Sequence, residues 1–473
     1  MKRARVMTAL VCMALGLFSV ASGIDPPEKM WEKEFDVSYF FDIALASDSV
    51  IYLATQSGQM YFDGALYVLD LDGNFLWRAG VSAWAGISAR SLEVLSNGHA
   101  VVVGSVAEDE SSENSDLFVM EISDQGEVLW SHIYADTITW DIAHDVCVLA
   151  DGGYAIAGKG HGQAWILRTD ANGDTLWTDV WGIYGSSYAA GIEYDDENNW
   201  LVVLVQGSSD SLPEWGPHLL FYDLDGNYLF GTSYPDIESW DVKGLCPTVD
   251  GGYAFVSEYG YNFLPVISGT GCQGDLLWSY DIYGFLAGDA HGIDRTVLDD
   301  GFLVTGFAVE STWVDTGNGI NGARLVRFDG DGNELWDITE GSWGDEFRAA
   351  LQLPQGGYIA VGSSAGDGYL VRYAPETGVE EGSGLPEETI LGSVHPNPSA
   401  GTFQIPLHLS EPLDARIEVY DITGRRLALL SEGLLPAGEH SFSWDASGLP
   451  SGCYLVRLSG IGASETVRCV LIR

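Results

Sequence analysis

A pattern Asp-x-x-Gly-x-x-Leu-Trp, loose at its first position, returns along this chain. It ends at Trp77, Trp130, Trp177, Trp278 and Trp336, with Phe230 as a variant. Successive copies stand roughly fifty residues apart. A second landmark, Gly-Gly-Tyr or a near relative, falls at Tyr154, Tyr253 and Tyr358, with His99, Trp200 and Phe302 in equivalent places. It follows the first landmark at a near-constant interval. Two landmarks in one register mean that a single supersecondary unit is repeated, and a unit this short cannot bury its own faces.

Each unit reads as four β-strands. In one copy the runs are DIAHDVCVL, YAIAG, AWILRTD and DTLWTDV, separated by DGG, a variable loop and ANG. Branched aliphatics and aromatics alternate with small or polar residues, and Asp-Gly or Asn-Gly steps close the hairpins. No segment has the period of a long amphipathic helix. Near the start, Trp31 in MWEKEF reads as an outer strand without a preceding partner, and YLVRYAPETG at Tyr369 is a third strand without a fourth. Joining the two closes a ring and removes the exposed edges of an open array. The fold expected is all-β: a seven-bladed β-propeller over residues 24–376, six or eight blades being the alternatives, followed by an immunoglobulin-like β-sandwich. The Leu-Trp landmark resembles the outer-strand tryptophan repeat of quinone-dependent dehydrogenase and outer-membrane assembly propellers. GSWGDEFRAALQLPQGGYIAVGSS is similar to Gly-Gly-Tyr repeats of exported bacterial propellers. These resemblances imply architecture, with the tryptophans packing between blades.

Residues 1–23 read as a removable signal peptide: Lys2, Arg3 and Arg5, an apolar run from Val6 to Val20, then Ala21, Ser22 and Gly23. No later stretch is long and apolar enough to span a membrane. After Tyr373 the composition breaks. ETGVEEGSGLPEET, which starts at Glu376, reads as a Gly- and Glu-rich linker assigned to 377–390, and a new β pattern occupies 391–473. Its residues resemble the C-terminal type A sorting domain of the type IX secretion system. The matches are Pro396, Asn397 and Pro398, then Val419, Tyr420, Asp421, Gly424 and Arg425, then Ala437, Gly438 and His440, and finally Trp444, Asp445, Ser451, Gly452, Tyr454 and the basic-aliphatic run to Arg473. The resemblance implies passage across the outer membrane, the type IX machinery as partner, and a secreted or cell-surface destination. The alternative is a plain adhesive sandwich.

Charge excludes one class of partner. The chain has 68 acidic and 21 basic residues, a formal net charge of −47. Nucleic acid needs a basic face, so it is not expected as a ligand. Nearly all the acidity belongs to residues 24–390, with 12 basic against 60 acidic side chains, whereas 391–473 is almost neutral.

Aligned on Gly-Gly-Tyr, four innermost strands begin DIAHD, WDVKG, GDAHG and GDEFR. His144, Lys243, His291 and Arg348 therefore gather at one mouth of the central channel, beside Asp141, Asp241, Asp289 and Asp345. Such a mouth suits an anionic or sugar-like ligand; equally, the acids can cap turns and pair with these cations to hold blades together. Three loops between second and third strands are expanded, and two of them carry Trp215 and Trp313 on which a glycan or peptide can stack. DLDGN, DANGD and DGDGN invite calcium, but each sits where the repeat needs a hairpin, and the twelfth position of a calcium loop is Val81 or Tyr234 rather than Glu. Cys453 and Cys469 face each other if the last hairpin is centred on Ile461, giving a disulfide or two buried thiols. No nucleophile elbow, HExxH or phosphate loop is present. The function expected is a non-catalytic binding module for a glycan or surface protein, with no cofactor unless calcium. The competing class is a propeller enzyme, either a polysaccharide lyase or hydrolase or a quinone-dependent oxidoreductase.

Overall fold

A computed structural model describes residues 26–376 and 390–471, apart from short segments at 57–64, 81–85, 108–114, 135–139, 184–186, 236, 238, 260–263, 283–286, 310–320, 343, 392–393, 396–398, 400, 410–411, 422–425, 450–451 and 461–462. The expected signal peptide, nearly all of the expected linker, Trp313, and Pro396, Asn397, Pro398, Gly424, Arg425 and Ser451 lie outside the described residues.

Between Lys29 and Tyr373 the described strands form seven four-stranded antiparallel units, two of them touching through the single pair Gln56–Ser88. Six units are continuous in sequence. The last takes three strands from Glu346–Tyr373, and its fourth is Lys29–Phe35 from the other end of this region, paired with Asp367–Tyr373. The innermost strands are Tyr39–Ser47, Gly86–Val94, Ile142–Val148, Tyr188–Asp195, Ser239–Pro247, Ala287–Arg295 and Glu346–Gln352. Each packs against the next, and the last packs against the first. This closed ring of radial sheets is a β-propeller. Second and third strands are apolar on both faces because each blade is covered on both sides, whereas the outer strands alternate.

The repeated motif is a device for stacking blades. Its Asp or Ser closes the third hairpin: Asp70 Oδ1 accepts the N–H groups of Asp72 (3.0 Å) and Asn74 (2.8 Å), and Oδ2 accepts Asn74 Nδ2 (2.9 Å). Those donors hold the Asp70 carboxyl below the usual range. Asp223 and Asp329 do the same, and Asp170 and Ser123 accept the two backbone N–H groups. The glycine that follows lies at φ of +70° to +86° in Gly73, Gly126, Gly173, Gly226 and Gly332. A Cβ there would stand 2.6–3.0 Å from the outer-strand tryptophan of the preceding blade: Trp31, Trp77, Trp130, Trp177 and Trp278 in turn. Only glycine gives both the left-handed turn and the space for the indole. Trp177→Ala, which also loses the bond from its indole N–H to the Leu224 carbonyl (2.9 Å), is expected to cost about 2–4 kcal/mol in urea unfolding.

In the C-terminal module Ile390–Leu391, Thr402–Leu409 and Gly438–Asp445 form one sheet. Leu413–Asp421, Arg426–Leu435, Gly452–Gly460 and Ala463–Leu471 form the other. Phe403, Ile405, Ile417, Val419, Val456 and Leu458 fill the space between them. Trp444 sits between Phe403 (5.3 Å) and Tyr454 (5.4 Å), so several of the motif residues are core residues. The last hairpin corrects the disulfide expectation. Gly460 pairs with Ala463, which sets Cys453 opposite Val470 and Cys469 opposite Tyr454. The register differs by one residue from a turn centred on Ile461, and one residue sends a side chain to the other face. Cys469 is a buried thiol.

Candidate functional site

The seven innermost strands surround a channel of about 590 Å³. Every one of them carries a β-bulge. The bulged residues that line the channel are Phe41, Arg90, His144, Ala190, the pair Lys243–Gly244, His291 and Arg348. A bulge adds one unpaired residue and re-aims its side chain, so each blade offers one residue to the same ring. Sequence alignment brings His144, Lys243, His291 and Arg348 to one mouth, and the structure places them there. Two further cations on that mouth are new: Arg90 at its bulge, and Lys159 on the second strand of the His144 blade.

Arg90 was hidden by a register slip. Counting back from His99 as the landmark reaches Ala89, but strand pairing makes Ala100 the equivalent of Tyr154. A second signal was present in the sequence. Gly104, Gly158, Gly306 and Gly362 stand opposite the residue just before the bulge in the blades of Arg90, His144, His291 and Arg348. A Cβ at any of the four would lie 2.0 Å from a carbonyl oxygen of the bulged strand. Glycine at this position marks a bulge that carries a polar side chain.

The acids divide into two groups. On a strand, residues two apart share a face and residues three apart do not. Asp241 and Glu346 are two residues before Lys243 and Arg348. They pair with them, Lys243 Nζ to Asp241 Oδ2 at 2.7 Å and Arg348 Nη2 to Glu346 Oε1 at 2.7 Å. Glu346 also binds His291 Nε2 from the adjacent blade (2.8 Å). These bonds hold the Glu346 carboxyl down to about 2 against its burial. Asp289 lies 3.9 Å from Lys243. Asp141 and Asp345, three residues before their cations, are buried away from the channel. They accept the N–H groups of His161 (3.2 Å) and Ala365 (3.2 Å), which tie down the middle hairpins of their blades.

Deeper in the channel the sign reverses. Asp42, Asp145, Glu93, Glu193 and Asp294 all line it. Burial between blades pushes Asp42 to about 6; burial together with the charges of neighbouring acids pushes Asp145 to about 7 and Asp294 to about 8, with Glu193 well above the carboxylate range. Glu93 moves the same way but is solvent-exposed. Three of these acids also stitch neighbouring blades: Asp42 accepts Leu92 N–H (2.8 Å), Asp145 accepts Ile192 N–H (2.8 Å) and Asp294 accepts Ala350 N–H (3.5 Å).

Burial pushes His144 down to about 4, and its Nδ1–H donates to the Ala189 carbonyl (2.8 Å), so the ring is neutral near pH 7. On the same face Trp215 is 47 % exposed in the hairpin between Trp200–Gly207 and Gly216–Asp223. Trp140, absent from the sequence reading, is 64 % exposed just before the innermost strand of the His144 blade.

Residues 393–473 match the secretion system C-terminal sorting domain. That domain marks proteins exported by the type IX secretion system to the cell surface or extracellular space, and this chain is such a protein. Among the described residues no helix is long and apolar enough to cross a membrane. No curated protein matches the chain. Solved structures that resemble it include a protein of unknown function from Bacteroides caccae, at 14 % identity and TM-score 0.41, covering 62 % of this chain and 94 % of that one. Others are the Dos1 propeller, at 11 % identity and TM-score 0.42 over 73 % and 95 % of the two chains, and a copper-bound fungal alcohol oxidase of the AA5 family. The oxidase shares 12 % identity at TM-score 0.44, over 94 % of this chain and 100 % of its own.

Proposed function

We propose that this exported chain is a binding module whose propeller holds a glycan or another surface component at the cationic mouth of its channel, without chemical turnover. One observation carries the reading. Residues 24–390 contain 12 basic side chains among 60 acidic ones, yet Arg90, Lys159, Lys243 and Arg348 converge on one mouth. A random surface of that composition would not concentrate its cations; a site for negative charge or dense hydroxyls would. Trp140 and Trp215 extend the same face with exposed rings suited to sugar stacking.

The groups that would act in catalysis are held by structural partners: His144 by Ala189, His291 by Glu346, Asp42 and Asp145 by backbone N–H groups of the next blade. A glycosidase reading draws on Asp145 and Asp294, whose raised values would suit a proton donor. A glycan array probed with the exported chain separates the two. Binding that falls at least about tenfold in Trp140→Ala or Trp215→Ala supports this face as the site. Undiminished binding in both variants refutes the face assignment. New reducing ends, or ultraviolet absorbance from unsaturated sugar ends, would refute the absence of turnover.

A further inference from the structure

Phe41 lies between two guanidinium groups that reach it from the blades on either side. The Arg90 carbon is 4.1 Å from its ring centroid and the Arg348 carbon 5.6 Å, and Tyr39 stacks beside Phe41 at 5.6 Å. Arg348 commits Nε and Nη2 to Glu346. Arg90 makes no ion pair with any described residue, although the protein carries 68 acidic side chains, and its Nε is buried without a hydrogen-bond partner. Burial and the neighbouring Arg348 charge lower Arg90 to about 10. Two like charges beside one ring, with donors unmet, constitute a place prepared for an anion.

The same ring of bulged residues also offers bare acceptors. His291 gives Nε2 to Glu346, and its Nδ1 is buried with no partner. His144 donates through Nδ1, which leaves Nε2 of the neutral imidazole as an acceptor on the channel wall. A ligand that satisfies these atoms must donate hydrogen bonds. Below the mouth, Asp42 and Asp145 follow their bulged residues directly, and Glu93, Glu193 and Asp294 come three residues after theirs, roughly 10 Å along the strand. A polyanion entering this channel would meet that acidic ring, whereas a ligand with one acid group and several hydroxyls would not. The cations at the mouth and the acids beneath it therefore select one acid on the sugar that enters, any second sugar staying outside the channel.

We infer that the site takes the carboxylate of a uronic-acid-type sugar entering end-on, held by the Arg90 and Arg348 charges that flank Phe41, with its hydroxyls donating to His144 and His291. The inference rests on the binding reading above and specifies its ligand class. It is tested on the full exported chain by calorimetric titration with digalacturonate, the methyl ester of that disaccharide, a heavily sulfated disaccharide and a triglycine peptide with a free C-terminus.

Digalacturonate is expected to bind at least about tenfold more tightly than its ester, and the sulfated disaccharide is expected to be weaker than digalacturonate. In Arg90→Gln the acid and the ester are expected to bind alike, while thermal melting and circular dichroism remain those of the parent. Phe41→Leu, which removes the ring and no charge, is expected to narrow the acid–ester ratio without abolishing binding. An unchanged ratio in Arg90→Gln, tighter binding of the sulfated disaccharide, or preference for the peptide carboxylate overturns the inference. If neutral glycans bind through Trp140 and Trp215 while digalacturonate does not, the uronic-acid inference fails and the binding reading stands. If the glycans are turned over, the binding reading fails instead.

Discussion

Gly104→Ala is expected to cost about 3 kcal/mol or more in urea unfolding and to remove Arg90 from the channel mouth. A methyl group there would lie 2.0 Å from the Ser88 carbonyl oxygen and 2.9 Å from the Ala89 Cα, both backbone atoms of the strand that forms the bulge. Neither atom can rotate away, so the strand must retreat, and Arg90 follows the strand. Gly86→Ala is the control. It sits at the start of the same strand, where a Cβ would meet only the Ala107 Cβ at 3.8 Å, and it is expected to change stability by less than about 1 kcal/mol in either direction. Equal losses in both variants would show that the close contact at Gly104 does not matter. A stability loss in Gly104→Ala with unaltered digalacturonate binding would show that the bulge does not aim Arg90.

The second large effect is on pH. Asp42, Asp145 and Asp294 have folded-state values near 6, 7 and 8, against about 4 in an unfolded chain. Between those limits the folded protein binds more protons than the unfolded one, so unfolding releases protons and stability falls as pH rises. The stabilising contribution of the protonated acids is present near pH 4–5 and is lost as pH climbs through about 6 to 8. Water in the channel moderates each shift, leaving about 1–3 kcal/mol over the three acids together. The melting temperature is therefore expected to be higher at pH 5 than at pH 8 by a few degrees. Asp294→Asn, whose single described backbone bond from Ala350 is long at 3.5 Å, is expected to raise stability by more at pH 8 than at pH 5. A protein that melts at the same temperature at both values would refute the raised values that burial gives these acids.

The local repeat made much of the architecture legible. Period-two alternation, Asp-Gly turns and one tryptophan per unit each reflect forces that act within a single blade or between a blade and its neighbour. The orphan strand at Trp31 and the incomplete unit at Tyr369 pointed to a shared sheet, and Lys29–Phe35 does pair with Asp367–Tyr373. The cationic mouth was legible in part for the same reason: a residue at a constant position in a repeat stays at a constant height around the ring.

Three things were decided elsewhere. Whether an acid faces a cation depended on strand parity, which separated Asp241 and Glu346 from Asp141 and Asp345, and a bulge changes parity without altering composition. The alignment of Cys453 with Cys469 depended on one residue of hairpin register, which the turn sets. The acidic ring of Asp42, Glu93, Asp145, Glu193 and Asp294 combines residues from five blades at two strand positions, so no single repeat shows it. The sequence by itself determined the strands, the blade-stacking tryptophans and the export module, because those follow from periodicity and local turn chemistry. Only the closed tertiary structure decided that a strongly acidic chain would place its few spare cations at one end of a channel and its acids further in. That polarity comes from seven bulged strands meeting around a common axis.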